Sequence, residues 1–171
     1  MIEAPTKARP TEYKNIRFNS KSEAILACNF DLLGLAWEYE PPVPGDWRPD
    51  FYIFGACTLF RFGMYIEYKP KGCTDTYKKE LAERYTAMKR EQRRNRDGDF
   101  IWEMCALLCF SPYARKNYDL HELEMYGLEN GAMRRICSGE INGEALLGKI
   151  PEAKGYRFDL KYEEPKDEFP F

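Results

Sequence analysis

The chain has 171 residues, 44% of them hydrophobic and 15% aromatic, which is enough to bury one core and predicts a single domain over residues 1–171. No run approaches the roughly 18 to 20 apolar residues of a membrane span, and the opening residues lack the apolar stretch of a secretory signal, so we expect a cytoplasmic protein. The single histidine, His121, excludes a multi-histidine metal site and predicts that any catalysis rests on carboxylates and lysine.

The first ten residues read as an arm, and the first regular element is predicted to be a helix over residues 20–33. Ser20 is a typical N-cap with Glu23 three residues on, and Gly34 is a typical terminator. Apolar residues follow Glu23 at spacings of three, four and seven. Glu23 therefore heads the face of the helix that should pack inward.

Three strands are predicted to follow as a meander, over residues 35–40, 47–54 and 60–69. The first alternates large apolar residues with glutamates, as a half-buried strand does. Pro49 cannot donate a ladder hydrogen bond, so it limits the second strand to an edge, a start or a bulge at that point.

The second half of the chain begins with a long charged helix over residues 76–94, for which Asp75 is a plausible N-cap. Residues 100–110 are nearly all apolar and predict a strand that is buried on both faces. Residues 120–137 read as one or two helices interrupted by glycines, and residues 156–162 alternate as a final strand.

The six cysteines include no CxxC pair, and a chain of this size can fold without disulfides, so we expect reduced and mostly buried thiols. Cys105 and Cys109 are four residues apart in the predicted buried strand. At that spacing two strand residues are too far apart to share one zinc ion without a bend. We therefore predict no zinc site.

Charge is unevenly distributed along the chain. Residues 71–96 hold nine Lys or Arg against four Asp or Glu, whereas residues 22–70 hold three against seven. An acidic segment next to a basic one suits a metal site beside a phosphate-binding surface, but ordinary solvated helix faces would give the same pattern. Charge alone leaves both interpretations open.

Three of the charged residues are predicted to lie together on the meander. Glu67 and Lys69 project from the same side of one strand, because successive side chains point to opposite faces. Asp50 lies on the neighbouring strand, close enough in the chain to meet Glu67. Two carboxylates at short range repel each other unless a cation lies between them, and Mg²⁺ prefers oxygen ligands. Glu23 would enter from the helix as a third acid.

Each of these residues also has a purely structural explanation. Asp50 can start a strand after proline, Glu67 and Lys69 can form an ion pair on a strand face, and Glu23 can complete a capping box with Ser20. The residues alone leave these alternatives open.

Three segments within residues 18–70 follow one another as FNSKSEAILACNFDLLGLAWEYEP, RPDFYIF and YIEYKP. They give an acidic helix, a strand leading into YEP, a Pro-Asp motif and a Glu-X-Lys motif. In this order and spacing the chain resembles the PD-(D/E)XK nuclease superfamily, and within it small phage and mobile-element endonucleases of the junction-resolving or transposon-end type. The resemblance covers about a third of the chain.

The resemblance implies an α/β fold of the α+β mixed-sheet kind. Its restriction-endonuclease-like αβββαβ core would cover about residues 13–112, and residues 113–171 would form an accessory region. It also implies that Asp50 and Glu67 ligate Mg²⁺, with Mn²⁺ as a substitute. By the same resemblance Lys69 serves the attacking water and Glu23 completes the acidic set.

One feature departs from part of this superfamily. Its exonuclease branch typically has a Gln and a Tyr four apart on the helix after the lysine, whereas here Gln92 is followed four residues later by Arg96. This difference favours an endonuclease over an exonuclease that degrades DNA from its ends.

A basic cluster at the end of the second predicted helix is the candidate DNA-binding surface, and it consists of Lys89, Arg90, Arg93, Arg94 and Arg96. Such residues can bind phosphates, although the helix dipole also favours cations at this end without any ligand. Arg48, next to the Pro-Asp motif, is a further candidate for clamping the substrate. Trp47 could stack on DNA, but core packing is the preferred interpretation.

The sequence therefore predicts a Mg²⁺-dependent endonuclease that hydrolyses phosphodiester bonds in DNA, with branched or structured DNA as a candidate substrate, in a phage or recombination setting. A homodimer is expected because cutting two strands needs two active sites. No membrane partner and no organic cofactor are expected. The alternatives are a non-catalytic DNA-binding or protein-interaction component on a nuclease scaffold, or an inhibitor or structural protein.

Overall fold

A computed structural model describes residues 10–54, 63–69, 74–95, 103–109, 126–129, 132–135 and 148–155. Within these ranges the chain forms eight strands and three helices. In chain order they are β1 (Thr11–Tyr13), β2 (Ile16–Phe18), α1 (Lys21–Leu32), β3 (Trp37–Tyr39), β4 (Phe51–Ile53), β5 (Gly63–Lys69), α2 (Asp75–Asn95), β6 (Glu103–Cys109), β7 (Tyr126–Glu129), β8 (Ala132–Arg135) and α3 (Ile150–Lys154).

A mixed four-stranded sheet in the order β3-β4-β5-β6 is the centre of the described structure. β3, β4 and β5 pair antiparallel as the predicted meander, with Phe51 opposite Ile66. β6 pairs parallel with β5, placing Leu107 opposite Glu67. A parallel neighbour requires a crossover connection, and α2 lies in that connection. The α+β prediction is thus confirmed at the level of a mixed sheet with helices.

The sheet has an apolar cluster on each face, and the alternation of the strands separates them. Met64, Ile66 and Tyr68 of β5 belong to the cluster that contains the buried face of α1. Tyr65 belongs to the other cluster, which contains Leu81, Tyr85 and Met88 of α2 together with Cys105 and Leu107 of β6. Because strand side chains alternate, Glu67 and Lys69 fall on the α2 face.

Two of the predicted strands are shorter than expected. The strand predicted over residues 47–54 begins only at Phe51, because Pro49 cannot join the ladder and Trp47 instead packs with the α2 cluster. The strand predicted over residues 35–40 covers Trp37–Tyr39. It ends where Glu40 takes a left-handed backbone conformation, with φ 45°, before two prolines.

The N-cap of α1 is the predicted one. The Ser20 hydroxyl oxygen accepts a hydrogen bond from the Glu23 backbone N–H at 3.2 Å, and the hydroxyl donates to Glu23 Oε1 at 2.7 Å. One of the N–H groups that a helix start leaves without an intrahelical partner is therefore satisfied. At the other end Gly34, with φ 70°, takes the left-handed conformation expected of a helix terminator.

Replacing Ser20 with alanine is expected to lower the free energy of unfolding by about 1 kcal/mol, because the Glu23 N–H loses its cap. Urea denaturation followed by circular dichroism measures this change. Ser22→Ala, at the second residue of the same helix, is the matched control and should have a much smaller effect. Equal losses in the two variants would contradict the cap assignment.

A hairpin before α1 was not predicted. β1 and β2 pair antiparallel around Lys14 and Asn15, whose φ angles of 51° and 62° suit a tight two-residue turn. The hairpin is joined to α1 through Asp31, which accepts a hydrogen bond from the Tyr13 hydroxyl at 2.7 Å and pairs with Lys14 at 2.8 Å. Trp37 Nε1 also donates to Asp31, at 3.0 Å.

The helical prediction for residues 120–137 is wrong for the part that the structure describes. β7 and β8 pair antiparallel there, with Glu129 opposite Ala132. The two residues between these strands in the chain are Asn130 and Gly131, a dipeptide that favours a β-hairpin over the predicted helices.

A short helix, α3, completes the described structure and packs on α1. Ile150 and Ala153 are buried in the same cluster as α1, and the Lys149 backbone N–H donates to the buried Asn29 side chain at 3.0 Å.

Three predictions concern residues outside the described ranges. They are the final strand over residues 156–162, the position of His121 and the arm before residue 10. Among the helices in the described ranges, none has both the length and the apolar character needed to cross a bilayer.

Candidate active site

Asp50, Glu67 and Lys69 are brought together at one end of the sheet. Asp50 directly precedes β4, and its Oδ2 accepts a hydrogen bond of 2.6 Å from the Tyr68 backbone N–H on β5. This bond joins the Asp50 carboxylate to the backbone of β5 at the residue between Glu67 and Lys69. Their predicted proximity is therefore confirmed.

Glu67 is a buried carboxylate, only 5% exposed, and donors from its own chain surround it. Oε1 accepts from the Tyr77 hydroxyl at 2.6 Å and lies 2.8 Å from Lys69 Nζ. Oε2 accepts from Trp47 Nε1 at 3.3 Å. A buried charge is tolerated only when it is paired and hydrogen-bonded, and these contacts meet that requirement.

Lys69 ends β5 and reaches from the buried interior toward solvent, with 36% of its side chain exposed. Its Nζ lies 5.2 Å from the centre of the Tyr77 ring, within the range of a cation–π interaction. The ammonium group is therefore held between the Glu67 carboxylate and an aromatic ring. A partly exposed position leaves it accessible to a ligand.

The electrostatics of Asp50 are unusual. The pKa of its carboxyl is raised to about 7, mainly by burial and next by the nearby negative charge of Glu67, with Glu23 adding a smaller effect. The Tyr68 N–H and the Lys69 charge act in the opposite direction but do not cancel the rise. Burial beside a second carboxylate therefore disfavours the ionised form of Asp50.

Glu23 lies in a different environment. Its Oε2 accepts from the Tyr39 hydroxyl at 2.5 Å and from the Asn19 backbone N–H at 3.2 Å, while Ser20 holds its Oε1. Tyr39 packs against the α1 cluster, on the sheet face opposite Glu67. Within the described ranges no three His, Cys, Asp or Glu side chains form a group that could hold a metal ion. The role of Glu23 as a third ligand stays a prediction.

The donor set fits a hard divalent cation. Asp50 and Glu67 offer carboxylate oxygens, and Mg²⁺ is commonly held by one or two carboxylates together with waters and substrate phosphate. The pKa of Asp50 is raised first by burial and second by the charge of Glu67, and a bound cation would favour the ionised form of Asp50. Lys69 supplies a positive group beside both acids.

The candidate DNA-binding residues are described only in part. Arg48 is exposed in the loop before Asp50, Arg90 is exposed on α2, and Lys89 is half-buried beside it. Arg93 and Arg94 lie in the last turn of α2, and Arg96 lies outside the described residues. The described part of the cluster therefore lies on α2, the helix that covers the Glu67 face of the sheet.

Trp47 and Tyr77 both contact Glu67, and the sequence predicted neither contact. Trp47 is 4% exposed and packs 5.7 Å from the Tyr65 ring, so core packing is confirmed for it, and its indole N–H also binds Glu67. Tyr77 lies in the first turn of α2, close after Lys69 in the chain. That proximity was the one available signal for Tyr77.

The thiol of Cys105 is buried directly behind the site, and burial together with the Glu67 charge raises its pKa. Cys28 is likewise a free, buried thiol. For these two cysteines the prediction of reduced, buried thiols is confirmed.

Comparison of the chain with family models, with curated proteins and with solved structures gave no match. The basis for assigning a function is therefore the geometry of the site and the sequence motifs.

Proposed function

We propose that this protein is a divalent-metal-dependent endonuclease that hydrolyses phosphodiester bonds in DNA. The observation that carries the proposal is the joining of Asp50, Glu67 and Lys69 at one end of the sheet, with the pKa of Asp50 raised to about 7. Two carboxylates that can hold a cation, beside an ammonium group, suit the hydrolysis of a phosphodiester, because this reaction needs positive charge near the phosphate oxygens. No histidine is required.

Asp50 and Glu67 are the proposed ligands of Mg²⁺, for which Mn²⁺ would substitute. The cation would stabilise negative charge on the phosphate and lower the pKa of a bound water. Glu23 would contribute from farther away, since its charge already acts on Asp50 and its own carboxylate is held by Ser20 and Tyr39.

Lys69 is the proposed partner of the attacking water. Its Nζ is partly exposed and fixed by Glu67 and by the Tyr77 ring, so it can orient a water without losing its own position. When substrate binds, its charge would also offset the negative charge of the phosphate. This assigns Lys69 to catalysis and the two acids to metal binding.

The basic cluster of α2 is the proposed contact for the DNA backbone, because α2 covers the same face of the sheet as Glu67 and Lys69. Lys89, Arg90, Arg93, Arg94 and Arg96 would bind phosphates, and Arg48 would contact the strand near Asp50. Phosphate contacts of this kind position DNA without reading its sequence.

The resemblance to PD-(D/E)XK nucleases supports the proposal, and the element order α1, β3, β4, β5, α2, β6 agrees with the αβββαβ core it implies. We propose membership in that superfamily on these grounds. A role in phage or mobile-element DNA recombination, action on branched DNA, a homodimeric state and a cytoplasmic location belong to the same proposal.

A cleavage assay tests the function directly. Linear, supercoiled, single-stranded and four-way-junction DNA are each incubated with the protein in Mg²⁺, Mn²⁺ or EDTA. We expect metal-dependent cleavage that EDTA abolishes. Lys69→Gln should lower kcat by about 100-fold or more, the usual contribution of a proton-transfer or water-orienting group, with DNA binding retained.

Lys149→Gln is the matched control, because the Lys149 side chain pairs at 2.8 Å with exposed Glu152 in α3. It should leave cleavage unchanged. A wild-type protein that leaves every substrate intact in both metals would overturn the proposal.

A non-catalytic DNA-binding or protein-interaction component is the second candidate, and one observation favours it. Both oxygens of Glu67 are engaged by donors of the same chain, as in a structural ion-pair network. In that case the protein would bind DNA equally well in Mg²⁺ and EDTA without cutting it. The same assay, with a binding measurement added, separates the two functions.

A further inference from the structure

Tyr77 contacts two of the three central residues of the candidate site at once. Its hydroxyl donates to Glu67 Oε1 at 2.6 Å, and its ring lies 5.2 Å from Lys69 Nζ. The side chain is half-buried, so it is partly shielded from competing water. A single residue of α2 thus reaches both the acid and the ammonium group of β5.

The start of α2 fixes the backbone of Tyr77. Thr74 Oγ1 accepts a hydrogen bond from the Tyr77 backbone N–H at 3.2 Å, and the Thr74 carbonyl accepts from the Lys78 N–H at 3.1 Å. These are the contacts of a helix N-cap, so Thr74 holds the first turn in place and the prediction of Asp75 as the N-cap is wrong. Farther along the helix, Leu81 and Tyr85 are buried against the sheet. Tyr77 is therefore attached to a rigid element.

The carboxylate of Glu67 has its orientation set by donors on both oxygens. Tyr77 and Lys69 share Oε1, while Trp47 holds Oε2 from the other side. Lys69 has a long flexible side chain, whereas Tyr77 is held by its helix. Of the two donors on Oε1, Tyr77 is thus the one that can set the direction of the oxygen.

We propose that Tyr77 is a positioning residue of the active site. Its hydroxyl orients the Glu67 carboxylate for metal binding, and its ring holds the Lys69 ammonium group beside that carboxylate. The inference rests on the proposed function. It adds that α2, through Tyr77, sets the orientation of a proposed metal ligand. Groups that hydrogen-bond to metal ligands typically contribute 10-fold to 100-fold to metal affinity or activity.

Two substitutions separate the two contacts. Tyr77→Phe removes the hydroxyl and keeps the ring, so the Mg²⁺ midpoint, measured both by calorimetric titration without DNA and by cleavage, should rise about 10-fold or more. At saturating Mg²⁺ its kcat and its KM for DNA should be close to those of the wild type. Tyr77→Leu removes the ring as well, and it should also lower kcat at saturating Mg²⁺.

Tyr85→Phe is the matched control, since it makes the same change on the same helix in a residue whose ring lies 6.0 Å from the Trp47 ring. It should leave the Mg²⁺ midpoint unchanged. Thermal unfolding in EDTA verifies that all three variants are folded. A residue with a merely structural role would change the unfolding temperature without selectively shifting the metal midpoint.

The outcomes distinguish this inference from the function on which it rests. If the wild type cleaves DNA and Tyr77→Phe has the wild-type Mg²⁺ midpoint, the inference is overturned and the nuclease function stands. The same follows if Tyr85→Phe shifts the midpoint equally. A wild type that is inert in every metal overturns the nuclease function, and the role of Tyr77 fails with it.

Discussion

Asp50→Asn is expected to abolish DNA cleavage, with a loss on the order of 1000-fold or more at saturating Mg²⁺. Asparagine keeps the shape of the side chain and can still accept the 2.6 Å hydrogen bond from the Tyr68 N–H, so the local fold is preserved. What it removes is the negative charge. Without that charge the site loses one of its two proposed metal ligands and most of its attraction for a cation.

Single-turnover cleavage of a labelled duplex measures this loss, and a parallel binding assay verifies that DNA is still bound. Asp46→Asn is the matched control, because it makes the same chemical change in the same loop at an exposed position. It should cleave at the wild-type rate. An Asp50→Asn protein with wild-type activity would remove Asp50 from the mechanism.

The same substitution is expected to stabilise the metal-free protein at alkaline pH. The pKa of Asp50 is about 7 in the folded chain, above the ordinary value of 3.8. A group with a raised folded pKa contributes stability below its unfolded pKa, and that stability is lost as the pH rises through the folded value. At pH 8 the wild type therefore carries the cost of a buried, ionised Asp50, which asparagine avoids.

Urea denaturation in EDTA should show Asp50→Asn to be more stable than the wild type at pH 8 by about 2–4 kcal/mol. Near pH 4 the difference should vanish, because Asp50 is then largely protonated in the folded wild type. Adding Mg²⁺ at pH 8 should narrow the gap, since the metal stabilises the wild type alone. The idea fails if the variant is the less stable protein at pH 8, or if Asp46→Asn gives the same pH dependence.

The placement of the three central residues of the site could be predicted from the sequence. Alternation along β5 is a strict geometric rule, so the common face of Glu67 and Lys69 followed from their spacing alone. Asp50 could be placed beside them because the meander connects neighbouring strands. Whether Glu23 joins them depends on the angle at which α1 crosses the sheet, which no local pattern encodes.

The side chains that contact Glu67 could not be predicted from local sequence patterns for the same reason. Trp47 and Tyr77 reach Glu67 from a loop and from a helix, and their contacts depend on how α2 packs on the sheet. The β7–β8 hairpin is a different case. Its Asn-Gly dipeptide is a local signal for a hairpin, so these two strands could have been predicted from the sequence.

The parallel pairing of β5 with β6 has a consequence for how the chain folds. β6 can reach β5 only after the chain has passed through the 21 residues of α2, and ordering such a long connection is entropically costly. Once helical, that stretch is a rod of about 32 Å at ~1.5 Å per residue, which greatly restricts the search. Changes that weaken α2 should therefore slow folding as well as disturb the residues that it holds against the sheet.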